Sequence, residues 1–237
     1  NVKFVKKKNS KKYLLKIIFL GDAINIDFEN KKIDGKPSNE IALKMKDLNL
    51  MIKSNFSNYD KDKNKIIENF LIKKDKNKLM GLFSYENDKI IINKSNLRNS
   101  FLEGKLDGQI NLLPYFSFDL DLNLNSINFT KLYNYFLTLN KKRLFKINNK
   151  INGNLNLSSE KVYSSYNLVK TFESEIKFNN GNIVLQRFLV NLGKLGAADI
   201  SGEINNNKKF TNFKYESNVF IDNKKKILSK FGVYNKK

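Results

Sequence analysis

The stretch Phe116-Ser117-Phe118-Asp119-Leu120-Asp121-Leu122-Asn123-Leu124-Asn125 decides how this chain is read. Apolar side chains fall on every second position and polar ones fill the gaps. A strand places alternate side chains on opposite faces, so this decapeptide buries one side and wets the other. Wound as a helix, the same residues would scatter Leu and Phe around the whole circumference. The period of two predicts a strand.

The same pattern extends outward in both directions. Upstream it appears in Ile24 to Phe28, Ile41 to Met45, Leu48 to Ile52 after a phase slip at Asp47, Leu79 to Tyr85, Lys89 to Asn93 and Leu106 to Leu112. Downstream it resumes in Ile147 to Leu157, Phe172 to Phe178, Ile183 to Leu192, Ala197 to Ile204 and Phe210 to Ile221. Turn-forming Asn, Asp, Gly and Lys separate the runs. About ten strands are predicted, an all-β antiparallel meander in outline. Two stretches depart from it. Leu132, Tyr133, Phe136, Leu137 and Leu139 recur at helical spacing within Thr130 to Leu144, and Asp222 is a predicted N-cap before Ile227, Leu228 and Phe231. Both predicted helices plug or cover a sheet.

Composition narrows the chemistry. The 237 residues contain no His, Cys or Trp. Nucleophile systems built on imidazole or thiol, zinc sites with nitrogen and sulfur ligands, and disulfides are therefore excluded. Lys and Arg number 44 against 23 Asp and Glu, a formal net charge of +21. Only Arg98, Arg143 and Arg187 are Arg, and an abundance of Lys, Asn, Ile, Phe and Tyr arises from A/T-rich codons as readily as from selection for phosphate. Thirteen lysines lie in residues 1–16 and 223–237 without an acidic neighbour, which leaves 31 basic against 23 acidic side chains between them. The run Tyr13 to Leu20 is too short and interrupted for a spanning helix, which needs ~20 apolar residues. The chain opens without the ordered parts of a signal peptide, so a fragment of a longer protein is expected.

Weaker motifs resolve into strand faces and corners. Asp119-Leu120-Asp121-Leu122-Asn123 has the opening of a calcium loop, but Leu124 and Thr130 stand where Gly and Glu are required. Glu173 and Glu175 project from one side of a strand, read as an outward polar face. Gly193-Lys194-Leu195-Gly196 lacks the spacing of a phosphate cradle and reads as a β corner. The clusters Lys6-Lys7-Lys8, Lys11-Lys12 and Lys224-Lys225-Lys226 are solvated tails or contacts for anionic headgroups or nucleic acid. No catalytic residue, cofactor or metal is expected, and the chain is read as non-enzymatic.

The segment Phe172 to Ile204, with its Asn180-Gly181 turn, its alternating strand, its corner at Gly193 and Gly196, and its ending Ser201-Gly202-Glu203-Ile204, resembles the C-terminal region of AsmA-like proteins. Phe101 to Phe129, with Leu106-Asp107-Gly108-Gln109-Ile110, resembles an earlier pass of the same kind. The resemblance covers residues 100–222. It implies a β groove with an apolar inner side, in an envelope protein that faces the periplasm, is tethered to the inner membrane by an anchor outside this segment, and supports phospholipid transport and outer-membrane assembly. Its expected partners are phospholipid acyl chains, with no nucleic acid.

Four regions are expected: residues 1–130, a β-groove region with a basic N-terminal segment; 131–145, a helical insertion or cap; 146–222, the AsmA-like β region; and 223–237, a basic helix or tail. Candidate groove residues are Phe116, Phe118, Leu120, Leu122 and Leu124 from one strand. Ile176, Phe178, Ile183, Leu185, Phe188 and Val190 come from two others. Gly108, Gly181, Gly193, Gly196 and Gly202 are assigned to turns and corners. Two further readings of the same alternation stay open: a closed β-sandwich surface or adhesion module for protein or glycan, and a basic nucleic-acid binder.

Overall fold

Polar alternation with few helices leaves each strand one apolar side to cover and two edges to pair. In the computed structural model the described residues are mostly strand, with two short helices among them, an all-β, mostly antiparallel arrangement. The backbone is described except at 1, 8–9, 20–21, 34–35, 47–48, 57–58, 61–64, 139–147, 207–210 and 234–237. Side chains are described outside 1–10, 19–22, 33–37, 47–48, 56–65, 139–147, 207–210 and 234–237. The phase slip at Asp47, the Lys6-Lys7-Lys8 side chains, the last third of the first predicted helix and the end of the basic tail therefore lie outside the described residues. No helix among the described residues is long and apolar enough to cross a membrane.

The chain divides into two units, the first being Asn1–Ser100 with Lys105–Phe116. Its strands are β1 (Val2–Lys7), β2 (Ser10–Phe19), β3 (Asp22–Ile33), β4 (Lys36–Met45), β5 (Leu50–Phe56), β6 (Tyr59–Asp60), β7 (Lys65–Lys74), β8 (Asn77–Glu86), β9 (Lys89–Arg98) and, from Lys105 onward, β10 (Leu102–Asn111). From β1 to β5 each pairs antiparallel with the next. The ladder then runs β5 to β7 to β8 to β9, with the two-residue β6 beside the start of β7 and β10 beside β9. Asn87 and Asp88 both take positive φ, 50° and 60°. That is the backbone of a two-residue hairpin whose twist matches its strands.

A register shift between Met80 and Leu82 sets two residues of β9, Lys94 and Ser95, against Gly81. Lys94 has φ 48°. The bulge turns the Lys94 ammonium outward and puts buried Ser95 under Gly81, where strict alternation would have driven a charge into the apolar side. The Ser95 hydroxyl donates to the Leu106 carbonyl and accepts from the Leu106 N–H. Ser95→Ala leaves both groups of β10 short of a partner, and chemical denaturation should show a loss of about 1–3 kcal/mol.

The second unit is Phe101–Gly104 with Ser117–Lys237. It comprises β11 (Ser117–Asn128), α1 (Phe129–Thr138), β12 (Asn152–Ser159), β13 (Val162–Tyr163), β14 (Thr171–Asn179), β15 (Asn182–Asn191), β16 (Gly196–Asn206), β17 (Thr211–Ile221) and α2 (Lys224–Lys230). β11 pairs with β12 and so groups with the strands downstream of it. That pairing is parallel, a departure from the meander: joining parallel neighbours takes a long crossover, which the α1 connection provides. The ladder continues antiparallel from β12 through β14, β15 and β16 to β17.

Several expectations are corrected here. Seventeen strands stand among the described residues, where about ten were predicted. β2 and β7 escape the period-of-two pattern because Tyr13 to Phe19 and Ile66 to Ile72 carry apolar residues on both sides and so do not alternate. Gly181 (φ 86°), Gly193 (φ 63°) and Gly196 (φ 133°) do occupy a turn and a corner, but Gly108 and Gly202 lie inside β10 and β16. The cap of α2 is Asn223, not Asp222: its side-chain oxygen accepts from the Lys226 N–H at 3.0 Å.

Candidate functional site

In the first unit the register aligns apolar residues across strands. Ile41 faces Ser54, which faces Phe70; Leu43 faces Ile52, which faces Ile72; Phe83 faces Ile92, and Tyr85 faces Ile90. Directly opposed residues share a face. With Ile66 and Ile110 they line one cavity of about 410 Å³, whose exposed surface carries no polar atom. Side chains from six strands of one face reach a common space, so this face curls around it.

The two polar residues in that lining turn their oxygens elsewhere. Ser54 Oγ donates to the Asn69 carbonyl at 2.9 Å, and the Tyr85 hydroxyl donates to Asp88 at 3.0 Å. The bond to the Asp88 carboxylate, then burial, then the negative charge hold the Tyr85 phenol above its ordinary value. Glu68 is buried between Ile66 and Phe70 on the same face. The opposite face carries the ion pairs: Lys44 pairs with Asp27 at 2.7 Å, Lys31 with Glu29 at 3.1 Å and Lys53 with Glu40 at 3.4 Å. One face is greasy and the other wet.

The sequence-derived groove residues lie in the second unit, apart from Phe116, which precedes β11 and counts with the first. The register brings the rest onto one face in lateral rows. Phe118 aligns with Phe178 and Ile183 across Gly153, Leu120 with Ile176 and Leu185 across Leu155, Leu122 with Phe188 across Leu157 and Ser174, and Leu124 with Val190 across Ser159 and Phe172. Ile183 and Leu185 share this face with Phe188 and Val190 despite their three-residue offset, because a bulge at Gln186-Arg187 absorbs the extra residue.

That face is not uniformly open. Leu124, Ile127, Val162 and Phe172 form a buried cluster, with Leu122, Leu157 and Phe188 packed against it and Phe129 and Leu132 of α1 closing it from above. The Phe172 ring lies 5.6 Å from Phe129 and 5.5 Å from Phe188. Toward the other end Phe118 and Phe178, rings 5.4 Å apart, are half-buried. Asp119, Asp121 and Asn123 occupy the reverse, wet face, where Asp121 accepts from Asn156 and Asn123 from Ser158, each at 2.8 Å. Glu173 and Glu175 are exposed on that same face, beside Arg187. Among the described residues no group of three potential ligands is placed to hold a metal ion.

The fold and the first unit's cavity together define an all-β, mostly antiparallel protein with one apolar sheet face curled around a space of ligand size. No family model, no curated protein and no solved structure matches the chain.

The sequence read residues 1–130 as a β-groove region, but the groove residues it named fall in the second unit, apart from Phe116. The missed signal was distributed over β4, β5, β7, β8 and β9, each supplying two or three lining residues. Only their register makes them one surface.

Proposed function

We propose that the chain is a non-enzymatic lipid-sheltering segment, and that the cavity of the first unit takes an acyl chain. The observation that carries this reading is the cavity's apolar exposed surface. Its volume falls within the ~300–1,000 Å³ of small-molecule sites, yet it lacks the few convergent polar groups by which such sites usually orient a polar ligand. An acyl chain needs none. Each methylene moved from water into such a lining contributes about 0.8 kcal/mol, and the headgroup stays in solvent. The role in phospholipid traffic across a bacterial envelope, with an inner-membrane tether and a periplasmic location, is the part of the proposal that rests on the resemblance to AsmA-like proteins. Nothing in the mechanism consumes energy, so direction is set by the membranes at either end.

The test is direct. Protein purified from a bacterial host is extracted and its lipids are weighed by mass spectrometry, and delipidated protein is titrated with a fluorescent fatty acid. Stoichiometric phospholipid and saturable binding are expected. Protein that never carries lipid and never saturates overturns the proposal.

A further inference from the structure

We propose that the α2 end of the second unit docks on an anionic phospholipid surface. This deepens the lipid reading, on which its purpose rests, but its geometry is independent of the first unit's cavity. Three loops and a helix meet at this end. The Lys170 N–H donates to the Asn191 carbonyl at 2.8 Å, Asp222 N–H to Leu195 at 3.0 Å, and Lys230 Nζ to the Tyr166 carbonyl at 3.0 Å.

The charge here is one-sided. Lys224, Lys225, Lys226 and Lys230 on α2 are exposed, and Lys161, Lys170 and Lys194 of the neighbouring loops are exposed beside them. Across residues 160–170, 192–196 and 222–233 the only acidic side chains are Glu160 and Asp222. Seven ammonium groups against three carboxylates, counting Glu173 beside Gly193 and Asp222, make a surface whose partner is anionic.

Apolar groups stand out of the same surface. Phe231 is 55% exposed and Val233 67%, and the Phe231 ring lies 6.0 Å from that of exposed Tyr166. Their position is fixed rather than incidental: the Val233 N–H donates to Leu228 at 3.0 Å and the Gly232 N–H to Ser229 at 3.2 Å, with Gly232 at φ 70°. This is a Schellman-type stop, which turns the chain sharply and projects Val233 beyond the helix. An aromatic and aliphatic tip that follows the lysine-bearing helix α2 suits the boundary between headgroups and acyl chains. Nucleic acid would reward the lysines but leave Val233 and Phe231 in water, and these segments hold no Arg for bidentate readout of bases.

The chain has no Trp, so Phe231→Trp supplies a single reporter at an exposed position. With the full chain, its emission should move to shorter wavelength on vesicles of phosphatidylcholine mixed with phosphatidylglycerol, and not on phosphatidylcholine alone. In co-sedimentation, replacing Lys224, Lys225 and Lys226 together by Gln should weaken binding to the mixed vesicles by roughly a hundredfold, at about 1 kcal/mol for each lysine near an anionic surface. Equal sedimentation with both vesicles, an unmoved emission, or retention on duplex DNA without vesicle binding overturns the proposal. Vesicle docking and acyl-chain titration are separate measurements, so a protein that docks but takes no fatty acid sinks the cavity reading alone, and the converse sinks this one alone.

Discussion

Leu124→Ala lowers the stability of the second unit by about 2–5 kcal/mol, the range for truncating a leucine in a packed interior, and its melting temperature by roughly 4–20 °C. The site has little freedom to collapse. Leu124 is 2% exposed at the centre of the cluster with Ile127, Val162 and Phe172. On its other flank lies Gly104, where an added Cβ would come within 2.7 Å of the Leu124 Cα and meet the Asn123 carbonyl. Backbone on one side and aromatic rings on the other keep the void from closing, so the cavity term adds to the transfer term. Gly104→Ala should destabilise from the opposite cause, overpacking, by about 1–3 kcal/mol. Leu137→Ala, on the exposed side of α1 at 51%, should stay within about 0.5 kcal/mol. Thermal melts of the three variants side by side check this. An equal loss for Leu124 and Leu137 would show that α1 does not seal this end.

Ile72→Glu abolishes fatty-acid binding by the first unit, while Leu71→Glu, one residue away on the opposite face, leaves it unchanged. Ile72 lines the cavity with Ile52 directly opposite it, whereas Leu71 is opposite Lys53, which pairs with Glu40. A carboxylate in an apolar lining opposes ionisation and draws water after it, and either outcome removes the environment an acyl chain requires. Ile72→Phe guards against simple unfolding. It keeps the lining apolar and fills space, so it should reduce probe binding at least about tenfold, equivalent to about 1.4 kcal/mol, with the circular-dichroism spectrum preserved. If Ile72→Glu and Leu71→Glu bind the probe alike, the cavity is not the site.

The two units show where reading a sequence succeeds. Phe118 to Leu124 announced a half-buried strand because one wet face and one dry face impose a period of two, and the Asn180-Gly181 turn was legible because both residues adopt positive φ there, 50° and 86°. Ile66 to Ile72 announced nothing: Ile67 and Leu71 put apolar groups on the wet face, Ile67 at 58% exposure, and Glu68 puts a carboxylate on the dry one. Bulges were invisible for a related reason. At Lys94 and at Gln186 the chain gains a residue, and a local pattern cannot say whether that residue flips the remainder of the strand or is absorbed.

Near neighbours along the chain were enough to specify an all-β protein, the Asn180-Gly181 turn and the wet and dry faces of strands such as Phe118 to Leu124, each set by residues only a few positions apart, and composition alone excluded imidazole and thiol chemistry. It took the folded arrangement to decide the parallel pairing of β11 with β12, the burial of Leu124 under α1, and the gathering of Ile41, Ile52, Phe70 and Ile92 around one space. Those contacts join separate strands, and what aligns them is register, a relation between strands that no single strand contains.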